Sequence, residues 1–165
     1  MSQLVNWPYP FRYHASTTWQ MNSHQLSPKS NAMHQSTNLL IPISSGELVD
    51  KITILKLKLE HLEIEAALTN VRRELLALEA VLDKAPWQKN TEIAELTSKL
   101  LLVNSQLWEV EDQLRLHENE KRFDAEFIAL ARSVYKLNDQ RALLKRTINE
   151  HSGSMLKEEK SYGEF

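Results

Sequence analysis

Cysteine is absent from the 165 residues, which excludes a disulfide scaffold, a thiolate metal site and a cysteine nucleophile. Glycine (3) and proline (5) are nearly as scarce, so there is little material for turns and the chain must be built from few, long elements. Gly46, Gly153 and Gly163 are too scattered for a phosphate-cradling loop. No stretch approaches the roughly 20 uninterrupted apolar residues that span a bilayer. The start lacks a basic region followed by an apolar one, so no secretory signal is read and a cytoplasmic location is expected. Neither sign of charge dominates, with 20 Lys and Arg against 22 Asp and Glu. That balance gives a solvated surface without the basic excess needed for a phosphate backbone, and nucleic acid is not an expected partner.

Residues 1–38 are rich in Ser, Thr, Asn, Gln and His, carry only Arg12 and Lys29 as basic residues, and contain no acid. Trp7, Tyr9, Phe11 and Tyr13 alternate, but Pro8 and Pro10 argue against a central strand. Residues 1–43 are read as a disordered or extended N-terminal arm, and Met33 is an alternative start.

What is present is helical periodicity. Ser44-Ser45-Gly46-Glu47 has the S-x-x-E form in which a serine caps an amide and the glutamate reaches back. From there to Ala85, about 40 residues without Gly or Pro would make roughly 60 Å of helix if unbroken. Leu48, Ile52, Leu55, Leu59 and Leu62 keep a 4-3-4-3 spacing, while Ile64, Leu68, Val71, Leu75, Leu78 and Leu82 keep it in another register. That slip predicts a kink or break near 62–69. Asn90 or Thr91 caps the next helix, whose seam is Ile93, Leu96, Leu100, Val103, Leu107, Val110 and Leu114. Asp124 caps the last, with a seam of Phe127, Leu130, Val134, Leu137, Leu144 and Ile148 in which Arg141 takes one position; Gly153 is its stop.

Residues 91–118 carry six acids against Lys99 and Arg115, whereas residues 125–151 carry five bases against three acids. An acidic helix followed closely by a basic one favours an antiparallel hairpin. The fold class is therefore all-α: an antiparallel coiled-coil-like bundle of three long helices over 44–152, with the first kinked or broken near 62–69, and a tail over 153–165. A straight first helix would overhang the hairpin, and burying its apolar surface against a second copy predicts a homodimer.

No H-x-x-x-H or E-x-x-H pattern occurs among the six histidines, and neither metal nor cofactor is expected. His61 and His117 are read as surface or seam-edge residues. Two stripes beside the seams stand out by their polarity. Asn104, Trp108, Glu111 and Arg115 share one face, next to Asp112; Tyr135, Asn138, Ala142 and Lys145 share another, next to Arg132, Asp139 and Arg141. Polar groups this near a seam must be paired or wet. They form either a pocket or partner surface, or a hydrogen-bond network that fixes register. Arg141 needs a carboxylate, with Glu111 or Asp112 as the candidates. The tail, with Lys160 and Tyr162, is either a frayed end or a segment that docks onto the bundle or onto a partner.

SSGELVDKITIL (44–55), NVRREL (70–75), VNSQLWEVEDQLR (103–115), FIALARSVYKLNDQRALLKRTIN (127–149) and EEKSY (158–162) resemble a family of small bacterial all-helical proteins of unknown function. The resemblance omits residues 1 to about 37. It implies that Glu47, Asp50, Lys51, Arg72, Arg73, Asn104, Trp108, Glu111, Asp112, Arg132, Tyr135, Asn138, Asp139, Arg141, Lys160 and Tyr162 belong together. Similar members are sometimes encoded near glycosyltransferases, which implies a link to surface-polysaccharide biosynthesis. The expected function is a protein-interaction or accessory subunit. The alternative is a small helical-bundle enzyme or anionic-ligand binder of the chorismate-mutase kind, with Arg72, Arg73, Arg132 and Arg141 as a clamp.

Overall fold

The computed structural model describes residues 39–159, which form four helices: α1 (Ser45–His61), α2 (Glu65–Leu82), α3 (Thr91–Glu120) and α4 (Ala125–Ser152). The expectations for residues 1–38 of the N-terminal arm, for Met33 and for Lys160 and Tyr162 fall outside the described residues, while residues 39–43 of the arm are exposed and have no regular secondary structure.

Short polar residues set most of the boundaries. Ser44 Oγ accepts from Glu47 N at 3.2 Å and opens α1. Asn90 Oδ1 accepts from Glu92 N and Ile93 N to open α3, and Asp124 Oδ1 accepts from Glu126 N and Phe127 N to open α4. Gly153, at φ 68°, ends α4 in the left-handed conformation that glycine adopts without strain. Half of the expected capping box is missing. Glu47 does not return to its own cap, because its carboxylate is taken by Lys145 at 2.6 Å.

The first predicted helix is two helices. Leu62, Glu63 and Ile64 are non-helical, with Leu62 (ψ 138°) and Ile64 (ψ 113°) both extended, and α2 folds back along α1. The register slip is the physical reason. A straight rod would turn its two leucine stripes to different sides, whereas a reversal lets them bury each other. Leu48, Ile52 and Leu55 meet Val71 and Leu75, with Leu59, Leu62, Leu78 and Leu82 packed around them. The apolar length expected to overhang is therefore covered within the chain.

α2 packs on α1 alone, while α1 also packs on both α3 and α4, and α3 packs extensively on α4. α1 is thus the middle layer. Its other side joins a second core of Val49, Ile93, Leu100 and Ile148, flanked by Trp87, Leu96 and Leu144, with Leu100 and Ile148 fully buried. The seam residues named for α3 and α4 are all buried or half-buried. No helix among the described residues is long and apolar enough to cross a membrane.

Candidate functional site

The side of α1 that faces the α3/α4 hairpin is read at positions 46, 49, 50, 53 and 57, one helical stripe of Gly46, Val49, Asp50, Thr53 and Leu57, all buried. Two of these are polar and one has no side chain, so a search for apolar periodicity passes over the stripe. Asp50, 1% exposed, takes its partners from both helices of the hairpin. Arg141 of α4 donates through Nε to Asp50 Oδ1 at 2.9 Å and through Nη2 to Oδ2, a bidentate pair. Asn104 of α3 donates through Nδ2 to Asp50 Oδ1 and to Thr53 Oγ1, both at 2.9 Å. Thr53 Oγ1 in turn donates to Asp50 O at 2.8 Å.

One turn toward the start of α1, a second set of contacts closes on α4. Lys145 Nζ lies 2.6 Å from Glu47 and 2.7 Å from Glu158 of the tail. Burial works to strip the Lys145 proton, but the Glu158 and Glu47 carboxylates, with Asp50 behind them, outweigh it and hold the ammonium above its ordinary pKa. Asn149 Oδ1 accepts from Gly46 N at 2.6 Å, and Ser154 Oγ accepts from Ser45 N at 3.4 Å. The first amides of α1 are thereby capped from another helix and from the tail. The approach is close enough to require glycine. A Cβ on Gly46 would lie 2.3 Å from the carbonyl oxygen of Lys145.

The structure gathers some of the residues expected to form a site and scatters others. Asn104 and Arg141 join the buried layer, together with Glu47 and Asp50 from the resemblance set. The carboxylate that anchors Arg141 is Asp50, not Glu111 or Asp112. Those two receive Arg115 along α3, at 3.2 and 3.1 Å. The reason is positional, since the fold-back of α2 leaves a whole side of α1 for the hairpin. Burial raises the Glu111 carboxyl above its ordinary range, against the pull of Arg115 and Arg141. Trp108 stacks on His61, with ring centroids 4.8 Å apart and planes 19° apart. Asn138 turns back to its own helix, donating to Val134 O at 3.0 Å. Arg132, Tyr135 and Asp139 stay on the exposed side of α4.

Several residues of the layer carry no site reading in the sequence: Thr53, Asn149, Ser154 and Glu158. The described tail docks back on the bundle, through Glu158 on Lys145 and Glu159 on Arg146 at 3.6 Å. His117, expected as a surface or seam-edge residue, is 1% exposed and closes the turn into α4. Its Nδ1 lies 3.2 Å from Arg122 O and its Nε2 lies 2.9 Å from Arg122 Nη2.

The arrangement is one of mutual satisfaction. Among the described residues no buried side-chain nitrogen or oxygen lacks a partner, and no group of three His, Asp or Glu is placed to hold a metal ion. The four arginines expected as a clamp do not converge. Arg72 and Arg73 lie exposed on α2, which does not pack on α4, and Arg72 is spent on Glu65 at 2.6 Å. Arg132 and Arg141 are nine residues apart along α4, about 14 Å. Beside the layer, a recess of about 190 Å³ is lined by Ala142, Leu143, Lys145, Arg146, Asn149 and Glu158. A second of about 310 Å³, mostly apolar, lies between Ile43, Leu48, Val81 and Trp87.

No curated protein and no solved structure matches the chain. A family model does match over residues 39–164, the span that holds all four helices, the buried Asp50–Arg141 layer and the tail, and the chain belongs to that family of unknown function, DUF6165.

Proposed function

We propose that the chain is a helical interaction module, an accessory subunit whose buried polar layer fixes the register of a coiled-coil-like hairpin against α1 and whose exterior engages a protein partner. The observation that carries this reading is the internal pairing of the charged groups nearest the core: Asp50 with Arg141, and Lys145 with Glu47 and Glu158. A site built to take up an anionic substrate keeps cations turned toward open space. Here the most buried cations are held by the protein's own carboxylates. Large apolar side chains stay on the surface, among them Leu76, Leu102, Ile128 and Leu143, each more than half exposed. The link to surface-polysaccharide biosynthesis belongs to the same proposal, as the setting in which such a subunit would work.

The test is affinity purification of the tagged full chain under native conditions, with quantification of co-purifying protein. A partner in stoichiometric amount is expected. Repeated recovery of the chain alone overturns the reading. The rival reading, an anionic-ligand binder, draws on the recess beside Lys145 and Arg146. It requires inorganic phosphate or a small dicarboxylate to raise the melting temperature by displacing Glu158.

A further inference from the structure

The exposed face of α4 carries a regular pattern of side chains. Ile128, Arg132, Tyr135, Asp139 and Leu143 follow at 4, 3, 4 and 4 residues. At 100° per residue they fall within an arc of about 80° and span about 22 Å. All five are exposed, Ile128 at 55% and Leu143 at 65%. The order of chemistry along the stripe is apolar, cation, aromatic, anion, apolar. Arg132 and Asp139 lie at equal distances on either side of the point between Tyr135 and Lys136, and so do Ile128 and Leu143.

That symmetry is what a helix needs to pair with an antiparallel copy of itself. A two-fold axis through this point sets Ile128 against Leu143 of the second copy, Arg132 against Asp139 of the second copy, and the two Tyr135 rings beside each other at the centre. Each contact off the axis then occurs twice. The charges are available for it. Arg72, Arg115, Arg122 and Arg146 are all engaged by carboxylates of their own chain. Arg132 and Asp139 enter no ion pair or side-chain hydrogen bond with the described residues, although they flank Tyr135 on the same face. A face of equal area carrying one sign of charge would repel its copy, and a face of leucines alone would set no register.

We infer that the outer stripe of α4 is a self-complementary surface on which two copies of the chain associate antiparallel about a two-fold axis at Tyr135. This dimer uses a different surface from any overhang of α1, which α2 covers, and goes beyond the engagement of another protein proposed above.

Charge exchange tests it. Sedimentation equilibrium of the full chain is expected to show a monomer–dimer equilibrium. Arg132→Glu sets two carboxylates against each other and Asp139→Arg sets two guanidinium groups against each other, so each alone weakens the dimer at least tenfold. The double variant restores the pairing. An equimolar mixture of the two single variants also restores it. In that mixed dimer the introduced glutamate of one chain meets the introduced arginine of the other, while the second contact keeps the native pairing of Asp139 with Arg132. Since the native chain has no cysteine, Tyr135→Cys gives a single thiol. A short bismaleimide is expected to join it into a covalent dimer far faster than Leu102→Cys on the outer side of α3. Circular dichroism checks that each variant keeps its helix content. A chain that stays monomeric at high concentration, a dimer indifferent to both reversals, or equal cross-linking at positions 102 and 135 overturns the inference.

Discussion

α1 meets its two neighbours with different chemistry. Toward α2 it offers Leu48, Ile52 and Leu55, and receives Val71 and Leu75. Toward the hairpin it offers Gly46, Asp50 and Thr53, and receives Asn149, Arg141 and Asn104. The first contact is apolar and non-directional, with ion pairs only at its rim, where Lys51 meets Glu74 at 2.7 Å and both are about half exposed. The second has fixed donors and acceptors, and a shift of one turn would break the bidentate pair and take the buried Asp50 carboxylate away from Arg141 and Asn104. An apolar seam supplies cohesion, whereas a buried bidentate pair sets position. The arrangement assigns register to the hairpin side and leaves α2 held by its apolar contact with α1 alone.

Asp50→Ala breaks the positional side and has the largest expected effect. It removes the carboxylate that holds the Arg141 guanidinium in a bidentate pair, on a side chain only 16% exposed, and takes from Asn104 one of its two acceptors. Loss of one member of such a pair costs about 3–5 kcal/mol, read as a lower midpoint in urea unfolding. Arg141→Met combined with Asp50→Ala should cost less than the two single changes together, by about 1 kcal/mol or more. Additive losses would show that the two groups do not depend on each other, and the assignment of register to this pair would fall.

How far the sequence foretells this follows from what each signal depends on. Helix ends set by Ser44, Asn90, Asp124 and Gly153 are local chemistry and are readable from neighbours in the chain. The break at Leu62–Ile64 is legible too, because the phase slip between two leucine stripes is itself a periodicity. What that slip does not give is the direction of the chain after the break, and the rest hangs on it. Only once α2 folds back does α1 have a second buried side, and only then does Asp50 become the nearest carboxylate to Arg141. Glu111 and Asp112 are reasonable candidates for a straight rod. Asn104 and Arg141 stand out by their place beside a seam. Thr53 and Asn149 do not, since each looks like an ordinary polar residue until the opposite helix is known.

Leu75→Ala attacks the cohesive side. Leu75 is 8% exposed in the α1–α2 core, and truncation of a buried leucine costs about 2–5 kcal/mol. The loss should be local. α2 packs on no helix but α1, so hydrogen exchange is expected to speed up in α2 while the amides of α3 and α4 keep their protection. In the Asp50 variant, by contrast, protection should fall in all helices of the bundle. Uniform loss of protection in Leu75→Ala would mean that α2 and the hairpin unfold as one unit, and the contrast between the two sides of α1 would disappear.

The smallest expected effect separates the two sides by sign. Lys145, on the hairpin side, has its pKa raised because Glu158 and Glu47 outweigh the cost of burial. Its contribution to stability is therefore complete below its unfolded value near 10.5 and is lost as pH rises through the higher folded value. Lys58, in α1 near Glu74, has its pKa lowered, mainly by burial and also by Lys51, against the attraction of Glu74. There the folded state holds the proton less well than the unfolded chain, which costs stability at neutral pH and ceases to do so as pH rises through 10.5. Lys145→Gln should thus destabilise at pH 7, with the difference from the native chain closing at alkaline pH. Lys58→Gln should stabilise slightly at pH 7, with its difference also closing. Urea midpoints of the three proteins between pH 7 and about 11.5, above the lysine reference value, check both. No loss in Lys145→Gln at pH 7 would show that the carboxylates around Lys145 do no more than compensate its burial, and a loss in Lys58→Gln as large as that in Lys145→Gln would show that the two sides of α1 treat a buried charge alike.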